Sequence, residues 1–207
     1  LLSLLWCLLL FALFQWTVQR EDENATELAQ IQTRTLFSSI VNTRGWNADR
    51  GGVWATEQPN CQPNPWLPDQ RTLLTADGRR LVRFNPAYMT RQIAERFQSK
   101  TMNFHICGLS PKRPQNRPDQ WETSALLDFD AGKTERFQLV QGRRGAYYRY
   151  MAPLRAEESC LQCHQRNKIG DVLGGISVSI SAFPILASVE QCNNMVGLTF
   201  GLIGFIG

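Results

Sequence analysis

Histidine is nearly absent from this sequence. His105 and His164 are the only two in 207 residues, beside four methionines. Chemistry that needs a set of imidazoles is thereby excluded, and any histidine role falls on one of two side chains. Charge is missing too, but only at the ends. Residues 1–19 and 191–207 contain no Asp, Glu, Lys or Arg. The formal net charge of +4 belongs to the segment between and is mixed in sign, so no nucleic-acid partner is expected. With 43% hydrophobic residues, a disordered or low-complexity chain is excluded, and no internal repeat is evident.

The uncharged ends are apolar. Residues 1–19 read LLSLLWCLLLFALFQWTVQ, and about 20 apolar helical residues cross a bilayer. A cleaved signal peptide competes with that reading. It requires a small-residue cleavage site, which Phe14-Gln15-Trp16-Thr17-Val18 does not offer, and Trp16 suits an interfacial anchor. Residues 195–207, MVGLTFGLIGFIG, fit the start of a second span better than a buried C-terminal helix. The expected organisation is a truncated transmembrane helix at 1–19, an extracytoplasmic domain at 20–192 and a truncated second span from 195. The flank Arg20-Glu21-Asp22-Glu23 is more acidic than basic, which argues against a cytoplasmic domain.

Six cysteines stand at 7, 61, 107, 160, 163 and 192. Cys160-Leu161-Gln162-Cys163-His164 is the C-x-x-C-H of c-type haem attachment. Two thiols on one turn reach the two porphyrin vinyl groups, and the next residue places an imidazole under the iron. A zinc site would want a second ligand pair at similar spacing, which Cys61 and Cys107 do not supply. A thioredoxin-type redox pair would sit beside a βαβ pattern, which the local sequence lacks. One covalent haem c is therefore expected, with Cys160 and Cys163 as attachment points and His164 on the iron. Such haems are attached outside the cytoplasmic membrane, which places the domain in the periplasm, anchored to a bacterial inner membrane.

His105 is the candidate for the opposite, distal iron position, set against the commoner fate of a lone histidine hydrogen-bonded to backbone. Cys107, two residues on and on the same strand face, is the alternative distal ligand, with Met102 and Met89 as weaker choices. Cys61 and Cys107 as a disulfide is a further option in an oxidising compartment. Cys7 and Cys192 read as small apolar fillers.

Helical spacing from Leu28 to Val41 predicts that the first span continues as one long helix into the domain, ended by Gly51-Gly52. The proline-rich stretch 56–70 is loop. Asp77-Gly78 marks a hairpin turn within residues 73–82, and Asn85-Pro86 starts a helix to about Gln98. His105 falls on a short strand, and Asp119 caps another helix. Residues 137–140 and 147–154 read as paired strands, and 174–180 as a final strand. This is an α+β domain with one antiparallel sheet behind a long N-terminal helix, best matched by a PAS-like sensor fold. The tyrosines at 147, 148 and 150 read as sheet pairs, and Arg143-Arg144 as a solvated turn.

Several blocks resemble one known family. Trp46-Asn47-Ala48, Gly51-Gly52-Val53-Trp54, Pro63-Asn64-Pro65-Trp66-Leu67, and Asn85-Pro86-Ala87-Tyr88-Met89-Thr90-Arg91 are similar to the Tll-like haem domain family. The likeness continues through His105-Ile106, Trp121-Glu122, the C-x-x-C-H and Gly174-Gly175-Ile176-Ser177-Val178, spanning about residues 30–182. The resemblance implies a c-type haem domain of PAS-like fold between two membrane helices, feeding a histidine kinase, diguanylate cyclase or chemoreceptor. It carries over Cys160 and Cys163 for attachment and His164 for the iron. Two positions depart from the pattern. Arg50 stands where a histidine often precedes the Gly-Gly pair, and Cys107 replaces a hydroxyl residue.

The functional expectation is an extracytoplasmic haem sensor that passes redox state, or the binding of a small gas, through the second span to an output domain in cis beyond residue 207. A homodimer through the first helix suits such a sensor, although the helix carries no sustained heptad. A membrane-anchored cytochrome for electron transfer is the alternative. No catalytic site is evident, and a haem peroxidase would lack a distal carboxylate.

Overall fold

The computed structural model describes residues 2–67, 70–97, 101–143 and 145–206. It begins with α1 (Leu2–Asp49), one unbroken helix about 72 Å long at 1.5 Å per residue. The apolar run and the Leu28–Val41 pattern thus share a single rod, as the periodicity predicts. The rod stops where Gly51 and Gly52 adopt φ of 69° and 102°, and their amides bond back to Ala48 and Asn47. A Cβ on Gly52 would meet the Phe84 carbonyl at 3.1 Å, so glycine is required there for space as well as for φ.

Strands β1 (Val53–Thr56), β2 (Thr72–Leu74) and β3 (Arg80–Phe84) form a small antiparallel sheet in the order β1-β3-β2, turning at Asp77-Gly78. Helix α2 (Pro86–Phe97) starts as the Asn85-Pro86 signal predicts, with Asn85 Oδ1 accepting from the Tyr88 amide at 3.1 Å. The second sheet contains β4 (Met102–Cys107), β5 (Arg136–Gly142), β6 (Gly145–Arg155) and β7 (Val172–Ser181), antiparallel in the order β4-β7-β6-β5. Helix α3 (Gln120–Asp130) lies before β5, the one-turn α4 (Glu158–Leu161) between β6 and β7, and α5 (Phe183–Ile206) after β7. The α+β class holds, but the strands divide between two sheets rather than forming one.

Alternation along the four-stranded sheet separates two cores. Phe104, Ile176 and Val178 face Leu36, Phe37 and Ile40 of α1 and Ile93 of α2. Cys107 and Met151 face Ala125, Leu126 and Phe129 of α3. At the far end Ala29, Tyr148 and Ala182 pack together where β7 passes into α5.

The two terminal helices run antiparallel. Leu10 approaches Gly204, and Phe14 meets Phe200 edge to face. Their outer faces leave Leu4, Phe11, Trp16, Leu198 and Leu202 largely exposed. Among the described residues no helix is long and apolar enough to cross a membrane. The domain boundary read at 192–195 falls inside α5, which is continuous from Phe183.

Candidate functional site

The C-x-x-C-H segment sits in a loop cinched at its base. The Ala156 amide donates to Asp171 O and the Gly170 amide to Ala156 O, both at 2.8 Å, while the Arg155 guanidinium donates to Gly170 O at 3.1 Å. Strands β6 and β7 thereby clamp both ends of residues 157–169. Within the loop, the amides of Cys163 and His164 both donate to Cys160 O, at 3.2 and 3.0 Å. This single turn holds the backbone of Cys160, Cys163 and His164 in one compact bend. Cys163 and His164 are exposed and Cys160 half-buried, so the segment presents its reactive atoms outward. Partial desolvation and the Lys112 ammonium hold the His164 imidazole below its ordinary pKa, favouring the neutral ring that ligates metals.

Arg44 of α1 lies within electrostatic reach of Cys160. Its guanidinium donates to Pro86 O at 3.1 Å and to Thr90 Oγ1 at 2.9 Å. Both acceptors are neutral, and among the described residues no carboxylate forms an ion pair with it. Burial pulls its pKa down to about 10. A desolvated cation without a counter-charge is costly unless an anion completes it. The surroundings of the C-x-x-C-H turn therefore fit a group that brings carboxylates, as a haem does with its propionates.

His105 and Cys107 lie elsewhere. Both lie on the face of β4 turned toward α3, whereas Phe104 and Ile106 lie on the face packed against α1 and α2. His105 Nδ1 is 3.1 Å from both Glu122 carboxylate oxygens, and Nε2 is 3.0 Å from Gln115 O. An acceptor beside each nitrogen favours the doubly protonated ring, and the Glu122 hydrogen bond raises its pKa. In this arrangement both ring nitrogens of His105 are engaged by α3 and the segment before it. Cys107 is buried, and burial together with the Glu122 and Asp119 charges pushes its thiol pKa far up. It too points away from the haem-motif side. All six cysteines are free thiols, so Cys61 and Cys107 are not paired.

A family model described as Tll0287-like (Tll0287) matches residues 19–181. The chain belongs to the Tll0287-like family. Among solved structures, the crystal structure of the cyanobacterial heme-protein Tll0287 is similar, with a TM-score of 0.45 and 16% identity over 75% of this chain and 94% of that one. No curated protein matches the chain.

Two members of the polar framework of this Tll0287-like chain escaped the sequence reading. Glu122 is the first. Asp119 and Glu122 form a reciprocal capping box at the start of α3, a spacing visible in the sequence as D-x-x-E. Burial pushes the Glu122 carboxyl up, yet hydrogen bonds from His105, Ser177 and the Asp119 amide outweigh that and hold it at about 2. Arg44 is the second. On a helix already rich in polar residues, nothing in one sequence marks it as the buried one.

Proposed function

We propose that this chain is the haem-bearing sensory part of a membrane-anchored signalling protein, with its domain outside the cytoplasm. The Cys160 and Cys163 thiols add across the two vinyl double bonds of a haem, each thiol hydrogen completing the second vinyl carbon, so that attachment consumes no oxidant. His164 supplies the proximal imidazole, and Arg44 supplies a cation for a propionate. The haem contributes one-electron redox chemistry and an iron whose distal position can exchange ligands. The family's namesake is described as a haem protein, which supports the cofactor.

One observation carries the sensory part of the proposal. The loop bearing the C-x-x-C-H is clamped to β7, and β7 runs into α5 with only Ala182 between them. A change in packing at the iron thus has a short, stiff route to the helix that enters the membrane. The PAS-like arrangement, the two anchoring helices and an output segment beyond residue 207 complete the reading.

The test is co-expression of the chain with a haem-maturation system. A haem-stained band surviving denaturation is expected for the native chain and lost when both cysteines become alanine. Hydrogen exchange over residues 183–190 is then compared in the oxidised and reduced protein. A redox-dependent change that disappears in His164→Ala, which keeps the haem tethered, supports sensing. Unchanged exchange favours the electron-transfer reading, and no covalent haem ends both.

A further inference from the structure

The cluster on the α3 side of the sheet has a composition that the haem reading does not use. His105 Nδ1, Cys107 Sγ and a Glu122 carboxylate oxygen all lie within 4.8 Å of one another. We propose that these three residues form a second metal site, for a zinc-class divalent cation, on the opposite face of the sheet from the C-x-x-C-H.

Three features support the assignment. The donor set is the first. Imidazole nitrogen, thiolate and carboxylate are the mixed ligands that zinc takes, and the thiolate disfavours magnesium or calcium. The second is the hydrogen bonding outside the ligand atoms. His105 turns Nδ1 toward the cluster while Nε2–H donates to Gln115 O, the arrangement that fixes tautomer and ring orientation in metal-bound histidines. Glu122 is held likewise. Its Oε2 accepts from the Asp119 amide at 2.9 Å, and its Oε1 from Ser177 and, at 3.1 Å, from Arg149. The third is access. His105 and Glu122, though not the buried Cys107, line a cavity of about 210 Å³ together with Arg117, Arg149, Ser177 and Ser179. With three protein ligands, two of them opening onto this cavity, the fourth tetrahedral position falls to water or a small ligand.

The Arg149 guanidinium is the obvious objection, since it stands beside Glu122 and Asp119. Charge bookkeeping answers it. Without the metal, Glu122 and Asp119 carry two negative charges against the Arg149 and His105 cations, and Cys107 is a neutral thiol. A divalent ion displaces one proton from His105 and one from Cys107. Two positive charges enter and two leave, so the cluster's net charge does not change and Arg149 meets no added repulsion. The exchange consumes no oxidant; one N–H bond of His105 and the S–H bond of Cys107 break, and both protons pass to solvent.

The test uses the full chain carrying Cys160→Ser and Cys163→Ser, so that the haem-motif thiols do not compete. Zinc is titrated calorimetrically in two buffers of different ionisation enthalpy. One ion per chain with release of about two protons is expected. Adding Cys107→Ser, a near-isosteric change, should weaken binding at least tenfold and cut the release to about one proton, with the circular dichroism spectrum unchanged. Adding His105→Gln instead should also weaken binding. No zinc binding, equal affinity in Cys107→Ser, or binding without proton release would overturn the proposal. None of these results bears on haem attachment.

Discussion

Phe14 of α1 and Phe200 of α5 meet edge to face, their ring centroids 6.0 Å apart and their planes at 70°. The pair joins the two uncharged ends of the chain, nearly two hundred residues apart in sequence, into one apolar hairpin of helices. The inward side of that hairpin is occupied by the rings, by Leu10 and by glycines 197 and 204. The outward side carries the exposed leucines and aromatics.

The outward side gives a first prediction. The full chain should float with neutral phosphatidylcholine vesicles in a density gradient. Phe11→Lys combined with Leu198→Lys should abolish flotation while sparing the Phe14–Phe200 contact, since both positions face outward. Each lysine near a span centre costs about 2.5–3.5 kcal/mol. Flotation of the double variant would show that these faces do not meet lipid.

Arg44 gives a second. If its guanidinium completes a haem propionate, Arg44→Leu should leave covalent attachment intact but lower the midpoint potential by roughly 30–60 mV, because a nearby cation favours the reduced, less positive iron. A potentiometric titration of the two proteins decides it. An unchanged potential would place the propionates elsewhere.

The third concerns pH. Glu135, just before β5, accepts hydrogen bonds from Arg34 of α1 at 3.0 Å and from Tyr150 of β6 at 2.9 Å. The Arg34 bond, opposed by burial, holds its carboxyl below the usual carboxylate range. Its contribution to stability is therefore present above the unfolded value near 4.3 and is lost as pH falls through the lower folded value. Tyr150 behaves oppositely. Burial and Glu135 raise its pKa to about 12, so its contribution is full below about pH 10 and fades as pH rises toward 12. Urea midpoints measured across pH should show Glu135→Gln flattening the acid limb. Tyr150→Phe should cost about 1 kcal/mol at neutral pH and flatten the alkaline limb. An acid limb unchanged in Glu135→Gln would remove this contact from the stability of the docked helix.

What the sequence made legible follows from the range of each signal. Capping and turn chemistry is local, so Gly51-Gly52, Asp77-Gly78, Asn85-Pro86 and Asp119 all mark their boundaries correctly. The C-x-x-C-H is legible for the same reason, because its chemistry fits within one turn. For His105 a period of two fixes only that it shares a strand face with Cys107. Which core that face meets depends on α3 docking across the sheet, a contact between residues far apart in the chain. The division into two sheets was hidden likewise, since pairing partners are a non-local property. Arg44 shows its isolation only once the partners of every neighbouring carboxylate are known.

Ala182 stands alone between the last residue of β7 and the first of α5. It is fully buried against Ala29 and Tyr148, its amide donates to Ala146 O, and its carbonyl accepts from the Leu186 amide. A linker of one residue, hydrogen-bonded in both directions and packed on a neighbouring helix, has no torsional freedom to absorb movement. Strand and helix therefore form a single bent unit, packed at its corner against Ala29 of α1. In the proposed sensory role, strain introduced at the clamped loop would emerge at α5 as rotation or axial shift, because the joint between them is a single hydrogen-bonded residue.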